Sequence, residues 1–338
     1  MATKMAGGGA APARRVSRTE LRPNVRELYE ARERVRRVAR HTPLQHSQWL
    51  SDHVGGEVWL KLECWQRTNS FKVRGAYNAI ASLDEATRDK GLVTASAGNH
   101  GQAVALAARL FEARATIYVP TNAPETKKAR IRGFGAELRE IDGIYDDAAA
   151  AARQHVDDTG AYYVHPFSDP AVVAGQGTVG LEIIEDLPSV KTVVVPVGGG
   201  GLVAGIGIAL KSITGDSTRI LGVQSTMTSS MFRAFEAGHV VETEIGKTLC
   251  DGLAGEVEEA SFERARPVVD HMALVDEDDV APAIRALYHR DGVVAEGAGA
   301  VGVAALLSGA IEPDGPTAVV ISGGNIDVEN LARIFSKV

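Results

Sequence analysis

The sequence predicts an α/β protein with twisted sheets of parallel type covered by helices, and two observations carry that expectation. From residue 56 onward, short β-branched runs alternate with alanine-rich segments whose apolar residues recur at helical spacing. Strands that alternate with helices are joined by crossovers, which lay the helices on both faces of a parallel sheet. The 338 residues are enough for two domains, and a 45% hydrophobic content supplies a well-buried core.

The first 25 residues, MATKMAGGGAAPARRVSRTELRPNV, are rich in Ala, Gly and Arg and lack the apolar centre of a secretory signal. A flexible tail is expected there, with a transit peptide as the lesser alternative. After it, EVWLKLE (57–63), GLVTAS (91–96), ATIYVP (115–120), AYYVHPF (161–167), TVVVPVG (192–198), RILGVQ (219–224) and TAVVISGG (317–324) read as strands. HGQAVALAARL (100–110), YDDAAAAARQHV (145–156), GLVAGIGIALKSI (201–213) and VAPAIRALYHRD (280–291) read as helices. No solenoid repeat is present.

Composition narrows the function. Lysine and arginine number 36 against 43 acidic residues, a formal charge of -7, with no long basic stripe after the first forty residues, so nucleic acid is not the expected partner. No apolar run approaches the roughly 20 residues that a membrane helix needs. Cys64 and Cys250 lie far apart and match neither a metal-ligand spacing nor a disulfide framework, which fits a reducing compartment and a cytoplasmic location.

In open α/β sheets, ligands bind beyond the carboxyl ends of strands, and three such loops are unusual. The first is Gly198, Gly199, Gly200 and Gly201 between a buried strand and a helix expected to begin near Leu202. Four glycines bring backbone amides close to an anion at the positive end of a helix, where a plain tight turn needs only one or two. A dinucleotide fits less well, because Asp216, the nearest acid, lies in a polar loop rather than at a strand end. A monophosphate suits the loop better.

The second loop, QRTNSFKVRGA, holds Lys72 just past a strand, with Ala76, Ile80 and Leu83 as the apolar face of the helix it enters. Near a helix N-terminus and beside Phe71, the ammonium loses both dipole stabilisation and solvent, which lowers its pKa from about 10.4. A neutral lysine is a nucleophile towards an aldehyde. On this stretch alone, a solvated surface lysine is an equal alternative.

The third loop, TASAGNHGQAVALAA, groups Ser96, Asn99 and His100 with the backbone amide of Gly98, a set suited to a small carboxylate. Helix capping would account for one of these side chains, not for all.

Taken together, these loops give the chain its resemblance to the pyridoxal-phosphate enzymes of fold type II, the tryptophan synthase β-like fold, in the threonine/serine dehydratase and serine racemase branch. The similarity runs through HTPL (41–44), TNSFKVRGA, SAGNHGQA, HPFSDPAVVAGQGTVGLEI, VGGGGLVAG, DGLAG, EGAGAVGVAAL and SGGN. It implies pyridoxal 5'-phosphate as cofactor and a homodimer acting on a small amino acid. The implied organisation is a large domain of residues 26–90 plus 169–338, with a small domain inserted at 91–168 and the cofactor in the cleft between them.

Residue by residue, the resemblance makes Lys72 the internal Schiff-base lysine and the carrier of the substrate's α-proton, and Phe71 a neighbour of the cofactor ring. Asn99 would bond the phenolic oxygen, Gly198 to Leu202 the phosphate, and Ser322 the pyridine nitrogen. Ser96, Ala97, Gly98, Asn99 and His100 would hold the substrate carboxylate, with Glu296 a near-site acid of open role. The implied reaction is loss of a β-hydroxyl followed by release of a 2-oxo acid and ammonia. Ser322 favours that course, since a hydroxyl cannot keep the pyridine nitrogen protonated as a carboxylate would.

Three positions depart from the family pattern. Where the racemases carry a serine base on the opposite face, this chain has Ala97, so little racemisation is expected. Gln224 and Ser230 stand where metal-binding relatives have carboxylates, so no divalent metal is expected. Asn69 replaces a glycine; asparagine tolerates the left-handed conformation, and its side chain is expected to project near the substrate. No regulatory domain follows residue 338, which favours a catabolic threonine/serine dehydratase over the feedback-controlled enzymes. A dehydratase for another 3-hydroxy amino acid such as 3-hydroxyaspartate, a serine racemase, and, from another class, a dinucleotide-dependent oxidoreductase are the alternatives.

Overall fold

The computed structural model describes residues 23–336. Residues 1–22 of the expected tail lie outside the described residues. Asn24 then caps a helix, α1 (Val25–Val35), by accepting from the Glu27 amide while the Glu27 side chain accepts from the Asn24 amide.

Among the described residues, the strands are β1 (Leu44–His46), β2 (Val58–Lys61), β3 (Leu92–Ala95), β4 (Ala115–Pro120), β5 (Glu137–Ile141), β6 (Tyr162–Tyr163), β7 (Thr192–Pro196), β8 (Arg219–Ser225), β9 (His271–Val275) and β10 (Thr317–Val320). They form a six-stranded sheet of order β1-β2-β10-β7-β8-β9 and a four-stranded sheet of order β5-β4-β3-β6. Every pairing is parallel except β1 with β2. The helices that position the site are α2 (Lys72–Ser82), α3 (Asn99–Leu110), α4 (Glu125–Gly133), α5 (Pro170–Asp186), α6 (Gly201–Thr214) and α7 (Gly297–Leu307).

Strand alternation divides the larger core in two. Val194 and Val319 point into one cluster with Val301 and Val303 of α7, while Val193, Val195 and Val320 point into another with Ile206 and Leu210 of α6. Burial on both faces explains why β7 and β10 read as continuous apolar runs.

Three strands escape the sequence pattern. Each of β1, β5 and β9 is an edge strand. β5, ELREI, is largely solvent-facing and charged, as an unpaired edge tends to be, and β1 is only three residues long.

The helix that carries Lys72 is seated by charge and by close backbone contact. Arg74, fully buried, lies 2.7 Å from Glu63 and 2.6 Å from Glu182 of α5, and Lys61, also fully buried, lies 2.8 Å from Glu182. Burial opposes the guanidinium's charge, but Glu63 and Glu182 outweigh it and hold its pKa above the ordinary value. Beside this cluster α2 and α5 meet at glycines: a Cβ on Gly175 would stand 2.6 Å from the Gly75 Cα, and one on Gly75 would stand 2.8 Å from the Val172 carbonyl. Arg74→Met would strand Glu63 without its cation, so we expect a loss of about 3–5 kcal/mol in stability, read by chemical denaturation.

Candidate active site

The segment that delivers Lys72 is stitched to the strand end at β10. The amides of Cys64 and Phe71 donate to the Ile321 and Ser322 carbonyls, and the Gly324 amide returns to the Asn69 carbonyl. The turn needs left-handed backbone at Thr68 and Asn69, with φ of 63° and 52°. Asn69 therefore holds the conformation expected of it, but its side chain turns to Asn325 Oδ1 at 3.3 Å and is not part of the cavity wall. That contact places the Asn69 amide beside Asn325, which lines the cavity.

A cavity of about 760 Å³ opens at the carboxyl ends of β3, β7 and β10. It brings together the predicted residues Phe71, Lys72, Ser96, Ala97, Gly98, Asn99, His100, Gly198, Gly199, Gly200, Gly201, Leu202, Glu296 and Ser322. Lys72 is the first residue of α2, and its Nζ donates to the Pro166 carbonyl at 2.9 Å and lies 5.3 Å from the Phe71 ring centre. It is not a solvated surface lysine. Burial pushes its ammonium down to about 8 against the opposing pull of Glu296.

Glu296 answers in the other direction. Burial, then the negative charge of Asp251, pushes its carboxyl up to about 7, although Asn99 donates to its Oε1 at 2.7 Å. His100 is neutral: Nε2 carries the hydrogen donated to the Val164 carbonyl at 2.9 Å, and burial followed by the charge of Lys72 pushes its pKa down to about 3.

The glycine loop is constrained on both sides. Its outer side packs on Phe167, where a Cβ on Gly199 would stand 2.5 Å from the ring and one on Gly201 2.8 Å from the Phe167 carbonyl. Gly200 has φ of 91° and caps α6 without any side-chain hydrogen bond. The helix accordingly starts at Gly201, one residue before the expected position, and presents an uncapped N-terminus to the cavity. Gly98 caps α3 in the same way, with no side-chain cap from Ser96 or Asn99. Ser322 is buried, its hydroxyl making only a 3.5 Å contact with the Ala298 carbonyl.

Several wall residues carried no separate assignment in the sequence: Gln176, Asn325, and the His165 to Phe167 turn that holds Lys72 and the glycine loop. A polar residue directly past a strand end was the available signal for Asn325. Gln224 and Ser230 are engaged within the chain, the first accepting from the Phe232 amide at 2.8 Å and the second donating to the Gly255 carbonyl at 3.3 Å.

Three buried nitrogens in the cavity wall, His100 Nδ1, Gln102 Nε2 and Gln176 Nε2, have no hydrogen-bond partner among the described residues. Such groups are costly unless a ligand meets them. With a buried amine of lowered pKa, an anion cradle and a free hydroxyl in one cleft, they define an enzyme that holds a phosphorylated carbonyl cofactor through a lysine.

Comparison with known proteins gives the same answer. The family described as "Pyridoxal-phosphate dependent enzyme" matches residues 35–323, and the chain belongs to it. An L-threonine ammonia-lyase of Thermotoga maritima is 47% identical over 92% of this chain and 78% of its own length. A catabolic L-threonine dehydratase of Escherichia coli (strain K12) is 39% identical over 91% of this chain and 94% of its own length. The solved structure of maize serine racemase superposes with a TM-score of 0.88 at 32% identity, covering 93% of this chain and 97% of that one. The fold is therefore fold type II and the cofactor pyridoxal phosphate, and among the described residues no helix is long and apolar enough to cross a membrane.

Two outcomes test the site. In the cofactor-free protein, the rate of addition of a neutral aldehyde to Lys72 should rise with pH through a midpoint at about 8, because only the unprotonated amine attacks; a midpoint near the ordinary lysine value of about 10.4 would contradict the burial argument. Gly199→Ala forces the loop off Phe167, and equilibrium dialysis should show pyridoxal phosphate bound about tenfold more weakly.

Proposed function

We propose that this chain is a pyridoxal-phosphate-dependent ammonia-lyase that converts L-threonine to 2-oxobutanoate and ammonia, with L-serine as a second substrate. The observation that carries this reading is the match to L-threonine ammonia-lyases over more than nine-tenths of the chain, joined to the gathering of Lys72, Asn99, the glycine loop and Ser322 in one cavity. When bound, the cofactor supplies an electron sink for the charge that develops at the substrate's Cα.

The chain's own residues do the rest. Lys72, with its ammonium lowered to about 8, takes the α-proton at Nζ. The amides at the uncapped start of α3 and the Ser96 hydroxyl hold the substrate carboxylate, and those at the start of α6 hold the phosphate. The Asn99 amide would donate to the phenolic oxygen of the bound cofactor and the Ser322 hydroxyl to its ring nitrogen, which would then have no carboxylate partner. The β-hydroxyl gains a proton and leaves as water, the released enamine takes a proton at its β-carbon to become an imine, and one water hydrolyses that imine to 2-oxobutanoate and ammonia. Residues 91–168, which contain the four-stranded sheet, act as a small domain whose closure on the rest excludes water. A homodimer in the cytoplasm completes the proposal.

Ala97 separates this reading from a racemase, because a methyl group in the cavity wall cannot return a proton from the opposite face. With L-threonine, equal amounts of 2-oxobutanoate and ammonia are expected, at higher kcat/KM than with 3-hydroxyaspartate. With L-serine, chiral chromatography should show D-serine forming at least about a hundredfold more slowly than pyruvate, the usual worth of a missing acid–base group. Comparable rates would overturn the expectation, drawn from Ala97, that racemisation is minor.

A further inference from the structure

Asn325, in the turn that leaves β10, has both ends of its carboxamide committed to partners from separate parts of the chain. Nδ2 donates to the Thr68 carbonyl and to Asn99 Oδ1, each at 2.7 Å. Oδ1 accepts from Arg130 Nη1 of α4 at 2.9 Å and from Asn69 Nδ2 at 3.3 Å. The backbone amide donates to Glu296 Oε2 at 3.1 Å.

These partners fix orientations one after another. A guanidinium can only donate, so the oxygen of Asn325 must face Arg130 and its nitrogen must face Asn99. Asn99 then presents Oδ1 to Asn325, which turns its Nδ2 to Glu296 Oε1 at 2.7 Å and leaves the second Nδ2 hydrogen available to the cavity. Glu296 cannot impose this by itself. Its carboxyl titrates near neutrality, and once protonated it could equally donate to an inverted Asn99 amide. The direction comes from two fixed partners of Asn325, the Thr68 carbonyl, which can only accept, and Arg130, which can only donate.

We propose that Asn325 is a positioning residue which, held by Arg130, sets the Asn99 carboxamide with an N–H directed at the cofactor's phenolic oxygen. The relay also joins two parts of the fold. Arg130 lies on α4, which follows β4 of the four-stranded sheet, whereas Asn325 follows β10 of the six-stranded one. Thr126 and Lys127 of the same helix reach Asp327 and Asp251 at 3.1 and 2.5 Å, so α4 is gripped at three points, of which Arg130 alone touches Asn325. When α4 is seated, Arg130 holds Asn325 Oδ1 while the Thr68 carbonyl holds Nδ2; when it is not, Asn325 keeps only the second of these two fixed partners. The inference rests on the pyridoxal-phosphate reading given above.

The test uses the holoenzyme and the variants Asn325→Ala, Arg130→Met and Arg130→Lys. Asn325→Ala should shift the visible absorption band of the bound cofactor and weaken cofactor retention about five- to tenfold, the range for one lost buried hydrogen bond. Arg130→Met, at an exposed position, should keep the thermal midpoint of the parent, reproduce part of the band shift, and lower kcat for L-threonine with KM nearly unchanged. Arg130→Lys, which retains a donor, should recover most of the spectrum and of kcat. Spectra of Arg130→Met and Asn325→Ala that superimpose on the parent would overturn the relay, and if Asn325→Ala fails to fold the Arg130 pair decides alone. A parent protein that shows no cofactor band after loading with pyridoxal phosphate would instead reject the reading on which the relay stands.

Discussion

The position of the reactive amine depends on the guanidinium of Arg74, two residues along the same helix. A fully buried cation costs several kcal/mol in lost hydration, and this one recovers it because every N–H has an acceptor: Glu63, Glu182, the Thr178 hydroxyl and the Arg40 carbonyl. Lys61 and the Thr42 hydroxyl complete the cluster, so two cations meet two carboxylates around the guanidinium. With Gly75 against Gly175, α2 can neither slide nor lift from α5. Lys72 is thereby held with its Nζ against the Pro166 carbonyl, and its burial is enforced rather than chosen.

Enforced burial explains the electrostatics of the cavity. Lys72 and Glu296 have opposite charges, and desolvation drives both towards neutrality, the lysine down to about 8 and the carboxyl up to about 7. Glu296 opposes the shift of Lys72, whereas the carboxyl's own shift is opposed by the Asn99 hydrogen bond, the Lys127 charge and the Asn325 amide. An amine brought towards physiological pH suits proton transfer at a substrate carbon, while the near-neutral Glu296 carboxyl stays bound to Asn99 and the Asn325 amide. His100, pushed down to about 3, contributes no charge to that balance and acts as a neutral wall.

Much of this was legible in the chain because buried parallel strands leave a strong mark. β7, the glycine loop and α6 could be read as one unit, and the direction of the Lys72 shift followed from its place at a helix start beside Phe71. The edge strands β1 and β5 were silent, the first for its three-residue length and the second for its charged, solvent-facing surface, whereas β9 was missed although it buries Met272 in one core cluster and Ala273 and Val275 in the other. Asn69 shows the other limit. Its left-handed backbone was foreseeable from residue type, but its side chain answers to Asn325, 256 positions away, and no local pattern encodes that pairing. The Arg130 contact was hidden for the same reason: an arginine on a solvent-facing helix looks like ordinary surface until the fold brings a buried amide to it.

The course of the reaction then follows from what the cavity withholds. On the proposed role of Lys72 as the group that takes the α-proton, the electrons left at Cα would either accept a proton again or expel the β-substituent, with the cofactor, when bound, supplying the sink. Ala97 offers no proton from the far side, and Glu296, whose two oxygens already accept from Asn99 and from Asn325, is committed to holding Asn99 rather than to acting on substrate. With Ser322 as the proposed partner of the ring nitrogen, a hydroxyl would stand where a carboxylate would keep that nitrogen charged, and the bound ring would retain electrons poorly. Expulsion of the hydroxyl is the path none of these residues obstructs.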